Sequence, residues 1–152
     1  MRFLYSFIIL SFLWTSLPET SSAAERQYAS LRKDEVNVRA GPGKQYPILW
    51  VFRKRSYPVE IIAEYQSWYK IRDPEGEEGW VYNKLISKKL KTALVVGKKN
   101  ALMYQEADLT IPLYKLEPGV IVGVNQCSEI VCQVYLDRNK GWIRKSNLSM
   151  VN

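Results

Sequence analysis

The sequence contains no histidine among its 152 residues. This absence excludes the Ser-His-Asp and Cys-His arrangements of nucleophilic enzymes and removes the most frequent general base. The sequence contains two cysteines, Cys127 and Cys132, and two thiols without histidine do not complete a tetrahedral metal site. We therefore predict that the protein is not an enzyme and that it uses no metal or other cofactor.

Two other signatures of catalytic or phosphate-binding sites are missing. Gly41-Pro42-Gly43 lacks the glycine spacing, the Lys-Ser/Thr ending and the following helix of a phosphate-binding loop. Asp73, Glu75, Glu77 and Glu78 form the one dense acidic cluster, and they lie in a predicted turn. We interpret this cluster as a solvated hairpin tip rather than as the carboxylate pair of a glycosidase.

The long apolar run is confined to the amino terminus. Met1-Arg2 is positively charged, residues 3–14 are almost wholly apolar, and residues 21–24 are small. This is the layout of a secretory signal peptide, cleaved at the end of the small residues. A membrane anchor is the alternative, but the apolar run is shorter than the about 20 residues that span a bilayer. We expect removal of residues 1–24 and a periplasmic or secreted chain with no remaining transmembrane segment.

The net charge indicates which classes of partner the exported part can bind. The 22 Lys and Arg residues outnumber the 15 Asp and Glu residues and leave a net charge of +7. A basic exported protein can contact an anionic surface, although charge for solubility is the alternative, and export argues against a nucleic acid partner.

An even cysteine count in an exported protein favours a Cys127–Cys132 disulfide, which for so short a loop stabilises the fold by about 2 kcal/mol. Two free buried thiols are the alternative.

One sequence pattern appears twice in residues 25–152. Short alternating strand-like segments are separated by turn residues in both copies, which predicts an all-β chain of two small modules in tandem, residues 25–90 and 91–152. The pieces of the first copy are Val36-Asn37-Val38-Arg39-Ala40-Gly41-Pro42-Gly43, Pro58-Val59-Glu60-Ile61-Ile62, Trp68-Tyr69-Lys70-Ile71 and Gly79-Trp80-Val81. Those of the second are Ala101-Leu102-Met103-Tyr104, Pro118-Gly119-Val120-Ile121-Val122, Cys132-Gln133-Val134 and Gly141-Trp142-Ile143.

Three local expectations accompany this division. Residues 25–30 are interpreted as a lead-in before the first strand. Residues 87–92 form a short charged linker, so the modules should lie close together. Residues 93–96 are predicted to form a strand that could complete either sheet.

In this order and spacing, the two copies resemble the bacterial Src-homology-3-like domain. The resemblance covers nearly all of residues 28–150 and implies two small bent β-barrels, each of five short strands. The tandem form, with Cys127 and Cys132 in its second copy, resembles exported proteins of Gram-negative, particularly alphaproteobacterial, cells. Relatives in this superfamily bind cell-wall peptides, anchor to wall polymers or mediate protein contacts, and the fold alone does not choose among these roles.

The candidate ligand-binding residues come from an excess of aromatic side chains. Residues 25–90 contain ten aromatic residues, more than so small a module can bury, and exposed Trp and Tyr favour contact with partners. Domains of this type bind extended peptides in aromatic-lined grooves. An alternative is that Trp80 is part of the core and that Trp68 caps a hairpin. The candidates are Tyr46, Trp50, Trp68, Trp80 and Tyr82, with Arg39 and Arg53 able to pair an acidic group.

These observations favour a non-catalytic exported binding module. Its first domain would bind an extended peptide, a peptidoglycan component or an envelope protein, and its second would act as a disulfide-stapled support. One alternative is a charge-driven adaptor or assembly protein of the envelope that docks through the basic run Arg53-Lys54-Arg55. Another is an accessory to a cell-wall hydrolase.

Overall fold

A computed structural model describes residues 25–152, and the predicted signal peptide of residues 1–24 lies outside this part. The described residues form β-strands joined by short turns, with two 3-10 turns of three residues each. Between residues 25 and 152 there is no helix long and apolar enough to cross a membrane. The predicted all-β fold is confirmed.

The first half of the described chain forms one antiparallel sheet of seven strands. Its strand order is β3-β2-β6-β5-β4-β1-β7, and a 3-10 turn at Asn83–Leu85 precedes the last strand. The strands are β1 (Gln27–Leu31), β2 (Val36–Arg39), β3 (Ile48–Phe52), β4 (Pro58–Tyr65), β5 (Trp68–Arg72), β6 (Glu78–Tyr82) and β7 (Ile86–Ser87).

The second half forms another seven-stranded sheet with the same connectivity. Its order, β10-β9-β13-β12-β11-β8-β14, is the order of the first sheet with seven added to every strand number. The sequence repeat is therefore also a repeat of topology. The strands are β8 (Thr92–Val95), β9 (Ala101–Tyr104), β10 (Pro112–Leu116), β11 (Ile121–Cys127), β12 (Val131–Leu136), β13 (Asn139–Arg144) and β14 (Leu148–Ser149).

Each sheet has its own hydrophobic core, because the alternate residues of its strands point to one side. Burial is almost complete at the centre of both cores. The first consists of Ala29, Leu31, Val36, Val38, Val59, Ile71, Val81 and Ile86. The second consists of Ala93, Val95, Ala101, Met103, Leu116, Val122, Cys132, Val134, Ile143 and Leu148.

Two local expectations are corrected by the sheet pairing. The segment interpreted as a lead-in contains most of β1, because Gln27 and Ala29 pair with Ile61 and Val59 across a long-range ladder. Each sheet also has seven strands rather than five, since β1 and β7 and their counterparts β8 and β14 add to the ladder. Local sequence does not reveal these additions, because their pairing partners are distant in the chain.

The two modules are joined by a small buried network of hydroxyl groups. The strand β8 pairs with β11 and β14 and so completes the second sheet. Its first residue, Thr92, donates from Oγ1 to the carbonyl oxygen of Ser56 at 2.7 Å, and its Oγ1 lies 2.6 Å from Ser30 Oγ. Ser30 Oγ also lies 2.7 Å from the Leu90 carbonyl oxygen. The short linker thus holds the start of the second module against the first.

Cys127 and Cys132 form a disulfide, as predicted. They lie directly opposite each other on β11 and β12, with an S–S distance of 2.00 Å and a Cα–Cα distance of 4.0 Å. Cys132 is fully buried in the second core. The bond therefore cross-links the two strands of this hairpin at its turn end.

Candidate functional site

Alternation along β5 and β6 places aromatic rings on the outward face of the first sheet. On β5, Ile71 lies in the core, while Trp68 points to the opposite, outward face of the sheet. On β6, Val81 enters the core, while Trp80 and Tyr82 point outward and remain half-buried. We call Trp68, Trp80 and Tyr82 the outward aromatic face.

The register of the hairpin brings these rings together. Trp68 is paired with Tyr82, and the centroids of the two rings are 5.7 Å apart at an interplanar angle of 58°. Trp80 is paired with Lys70 on one side and with Arg39 on the other. Side chains of directly paired residues lie on the same face of an antiparallel sheet. Two cationic side chains therefore flank the central tryptophan.

Arg39 also holds the loop that contains the Gly-Pro-Gly turn. Its Nη1 donates to the carbonyl oxygens of Lys44 at 3.1 Å and Tyr46 at 2.8 Å. The ring of Tyr46 packs on Gly41, where an added Cβ would lie 2.5 Å from the ring, and its side chain stays 40% exposed. Arg39 thus connects Tyr46 to the edge of the outward aromatic face.

A row of ion pairs borders the outward aromatic face. Glu78 accepts from Lys70 Nζ at 2.7 Å and from Arg72 Nη2 at 2.7 Å, and Arg72 Nη1 reaches Glu60 Oε2 at 3.3 Å. The hydrogen bond from Lys70, followed by that from Arg72, lowers the pKa of Glu78 below its ordinary value. The two cations and two carboxylates offset each other, so this row fixes β4, β5 and β6 without adding net charge.

Trp50 lies on the other side of the sheet. It is paired with Val38, a core residue, and its ring packs against the first core and edge-on to Phe52 with centroids 6.0 Å apart. Phe52 in turn lies 5.0 Å from Tyr57, whose pKa burial raises to about 12. The exposed Arg53 is paired with Glu35 at 3.7 Å. Trp50 and Arg53 are therefore separate from the outward aromatic face.

Two features of the described residues were not predicted from sequence. Lys70 was not a candidate, although alternation with Trp68 indicates that it shares the outward side. A cleft of about 290 Å³ also opens between the modules, beside the strand β8, and no sequence signal marks it because its walls are distant in the chain. The cleft is lined by Glu25, Tyr28, Ala29, Lys91, Thr92, Val124, Asn125, Gln126, Cys127, Met150, Val151 and Asn152.

Comparison with known proteins identifies the family. The model of the family described as bacterial SH3 domain matches this chain twice, over residues 32–88 and 97–150. The chain belongs to the bacterial SH3 domain family. The two matched segments fall one on each seven-stranded sheet, so each sheet is a bacterial SH3 domain.

Relatives of this pair of bacterial SH3 domains are longer proteins. The chain is 32% identical over 151 residues to YrvJ of Bacillus subtilis (strain 168), which is named as an N-acetylmuramoyl-L-alanine amidase. The match covers 93% of this chain but 28% of that protein. Among solved structures, NlpC1 from Trichomonas vaginalis matches with 15% identity and a TM-score of 0.40, covering 93% of this chain and 50% of its own. NlpC2 from the same organism matches with 13% identity and a TM-score of 0.40, covering 84% and 49%.

Proposed function

We propose that this protein is an exported, non-catalytic module that binds an extended peptide of the cell wall through the outward aromatic face. The observation that carries the proposal is the close grouping of Trp68, Tyr82 and Trp80 on a rigid sheet, half-exposed and flanked by Arg39. Aromatic side chains with few rotamers supply large contact area at low entropic cost, and an adjacent guanidinium can pair with a peptide carboxylate.

The groups beside the rings support binding rather than chemistry. The carboxylates of Glu60 and Glu78 are held in ion pairs with Arg72 and Lys70, and the lowered pKa of Glu78 keeps that group ionised. A general acid at neutral pH needs the opposite shift. The two cysteines are joined to each other and offer no thiolate nucleophile.

The cell wall is proposed as the source of the peptide on two grounds. The predicted signal peptide would export the chain to the compartment that holds the wall. The relative YrvJ bears the name N-acetylmuramoyl-L-alanine amidase, which refers to the amide that joins an N-acetylmuramoyl group to L-alanine, and this chain matches 28% of its length. We infer that the shared part recognises wall material. The proposal places the binding site in the first module, because the second module contains a single tryptophan, Trp142.

Alanine variants of the outward aromatic face test the proposal. Purified protein is mixed with insoluble peptidoglycan and pelleted, and soluble wall peptides are titrated while tryptophan fluorescence is followed. Trp68→Ala and Trp80→Ala should each weaken binding about tenfold or more, the loss expected for a buried aromatic contact. The weakening should persist at high salt, because burial of aromatic surface is little screened.

The second module supplies a matched control. Trp142 occupies the position of Trp80 in the repeated Gly-Trp step and is also half-buried and paired across two strands. Trp142→Ala should leave the affinity within about twofold, since an alanine substitution outside the contact is nearly neutral. Unfolding curves confirm that all variants are folded. Equal affinities of the folded Trp68→Ala, Trp80→Ala and unaltered proteins would refute the proposal.

A further inference from the structure

The basic run at the end of β3 does not form a single surface patch. Arg53 is paired with Glu35, and Lys54 reaches across to the second module, where its Nζ donates to the carbonyl oxygen of Gly119 at 2.7 Å. Within residues 25–152, Arg55 makes no ion pair and no side-chain hydrogen bond. The three neighbours in sequence therefore have three different environments.

Arg55 instead lines a depression together with three other cations. The depression has a volume of about 410 Å³, and no acidic residue contributes to its wall. None of its four cationic side chains forms an ion pair with any residue between 25 and 152. We call it the basic depression. It is lined by Leu31, Arg32, Lys33, Arg55, Lys84, Ser87 and Leu90.

Backbone hydrogen bonds hold the walls of the basic depression in place. Ser56 N–H donates to the carbonyl oxygen of Leu31 at 3.0 Å, which fixes the segment of Arg55 against the end of β1. Arg32 N–H donates to the carbonyl oxygen of Leu85 at 2.9 Å, which fixes the 3-10 turn that carries Lys84. Three segments distant in sequence thus meet at one point with like charges, and the repulsion between these charges is relieved when an anion binds.

We propose that the basic depression binds a phosphate group. Two guanidinium groups can each present a fork of N–H donors to phosphate oxygens, and two ammonium groups add further charge. A phosphate carries more oxygens and more charge than a single carboxylate, and so matches four unpaired cations better. The basic depression shares no residue with the outward aromatic face, so this site is independent of the proposed peptide-binding function.

The test compares two double variants with the same change in charge. Arg55→Gln with Lys84→Gln removes one arginine and one lysine from the basic depression. Lys99→Gln with Arg138→Gln removes the same pair from exposed turns of the second module, where neither residue has an ion-pair partner among the described residues. Binding is measured at low ionic strength by calorimetry with inorganic phosphate and glycerol phosphate, and by flotation with vesicles that contain phosphatidylglycerol.

We expect the unaltered protein and the second-module variant to bind with affinities within about twofold, and the depression variant to lose about tenfold or more, as expected when charge-assisted bonds are removed. Binding to the soluble phosphates assigns the site to free phosphate esters, whereas binding to vesicles alone assigns it to lipid headgroups. The proposal is overturned if no probe binds, or if both double variants lose affinity equally, since the effect would then follow net charge rather than this depression. Unfolding curves verify that both variants are folded.

Discussion

Replacing Gly141 with alanine tests how closely the strands pack at the repeated Gly-Trp step. A Cβ at Gly141 would lie 2.6 Å from the carbonyl oxygen of Tyr104 and 2.6 Å from Cε of Met103. Both distances are too short for non-bonded atoms. Met103 is fully buried in the second core, and the carbonyl oxygen belongs to the neighbouring strand β9, so neither group can move freely.

The equivalent glycine of the first module, Gly79, has a different neighbourhood. A Cβ there would clash with a methyl group of Val38, but the nearest backbone oxygen, that of Arg39, would be 3.2 Å away. Inserting a methyl group into a packed core costs about 1–3 kcal/mol. We expect about 3 kcal/mol for Gly141→Ala, where backbone must shift, and about 1–2 kcal/mol for Gly79→Ala, where a side chain must shift.

The measurement is urea unfolding followed by tryptophan fluorescence and circular dichroism. Gly123 on β11 provides a matched control, because a Cβ there meets its nearest neighbour, Cβ of Tyr135, at an ordinary 3.6 Å. Gly123→Ala should be neutral or slightly stabilising, since alanine restricts the unfolded chain. A free energy of unfolding for Gly141→Ala equal to that of Gly123→Ala, or a larger loss at Gly79 than at Gly141, would refute the reasoning.

Two further predictions concern the module junction and acid stability. Thr92→Val keeps the shape of the side chain but removes the donor to the Ser56 carbonyl oxygen. The loss should cost about 1–2 kcal/mol, which for a module of this size lowers the Tm measured by calorimetry by about 4–16 °C. An unchanged Tm would contradict the role of this bond. Since the pKa of Glu78 is lowered in the folded state, its ion pairs stabilise above the ordinary glutamate pKa of about 4.3 and are lost as the pH falls through the lowered value. The Tm difference between the unaltered protein and Glu78→Gln should therefore shrink between pH 6 and pH 3, and a difference independent of pH would count against this account.

Several elements of the outward aromatic face could be read from local sequence. The alternation in Trp68-Tyr69-Lys70-Ile71 separates outward from inward side chains, because successive residues of a strand point to opposite faces. The turn between β4 and β5, at Gln66 and Ser67, sets the register of the hairpin, and Gln66 adopts the positive φ of 49° that such a turn needs. Alternation and turn residues therefore predict the arrangement of side chains within one hairpin, but not between distant strands.

The separation of Trp50 and Arg53 from the other candidates could not be read in this way. Trp50 lies inward because its partner on β2 is Val38, and that pairing depends on where the loop after the Gly-Pro-Gly turn returns the chain. Arg53 forms an ion pair with Glu35 on an adjacent loop. Arg55 lines the basic depression together with Arg32 and Lys84, which come from other parts of the module. The amino-acid composition gives the number of charged residues, but it does not predict which of them become neighbours in the folded protein.

Local patterns in the sequence predict the two repeats and their β-structure, because alternation and turn residues act within short stretches of chain. The even cysteine count favours the Cys127–Cys132 disulfide, which the structure contains. Long-range pairing places three of the five candidate rings on one outward face, joins the modules through Ser30 and Thr92, and brings four cations around one depression. These contacts could not be predicted from local sequence, because strands such as β1, β2 and β8 are paired with partners far away in the chain, and that pairing sets which side chains become neighbours.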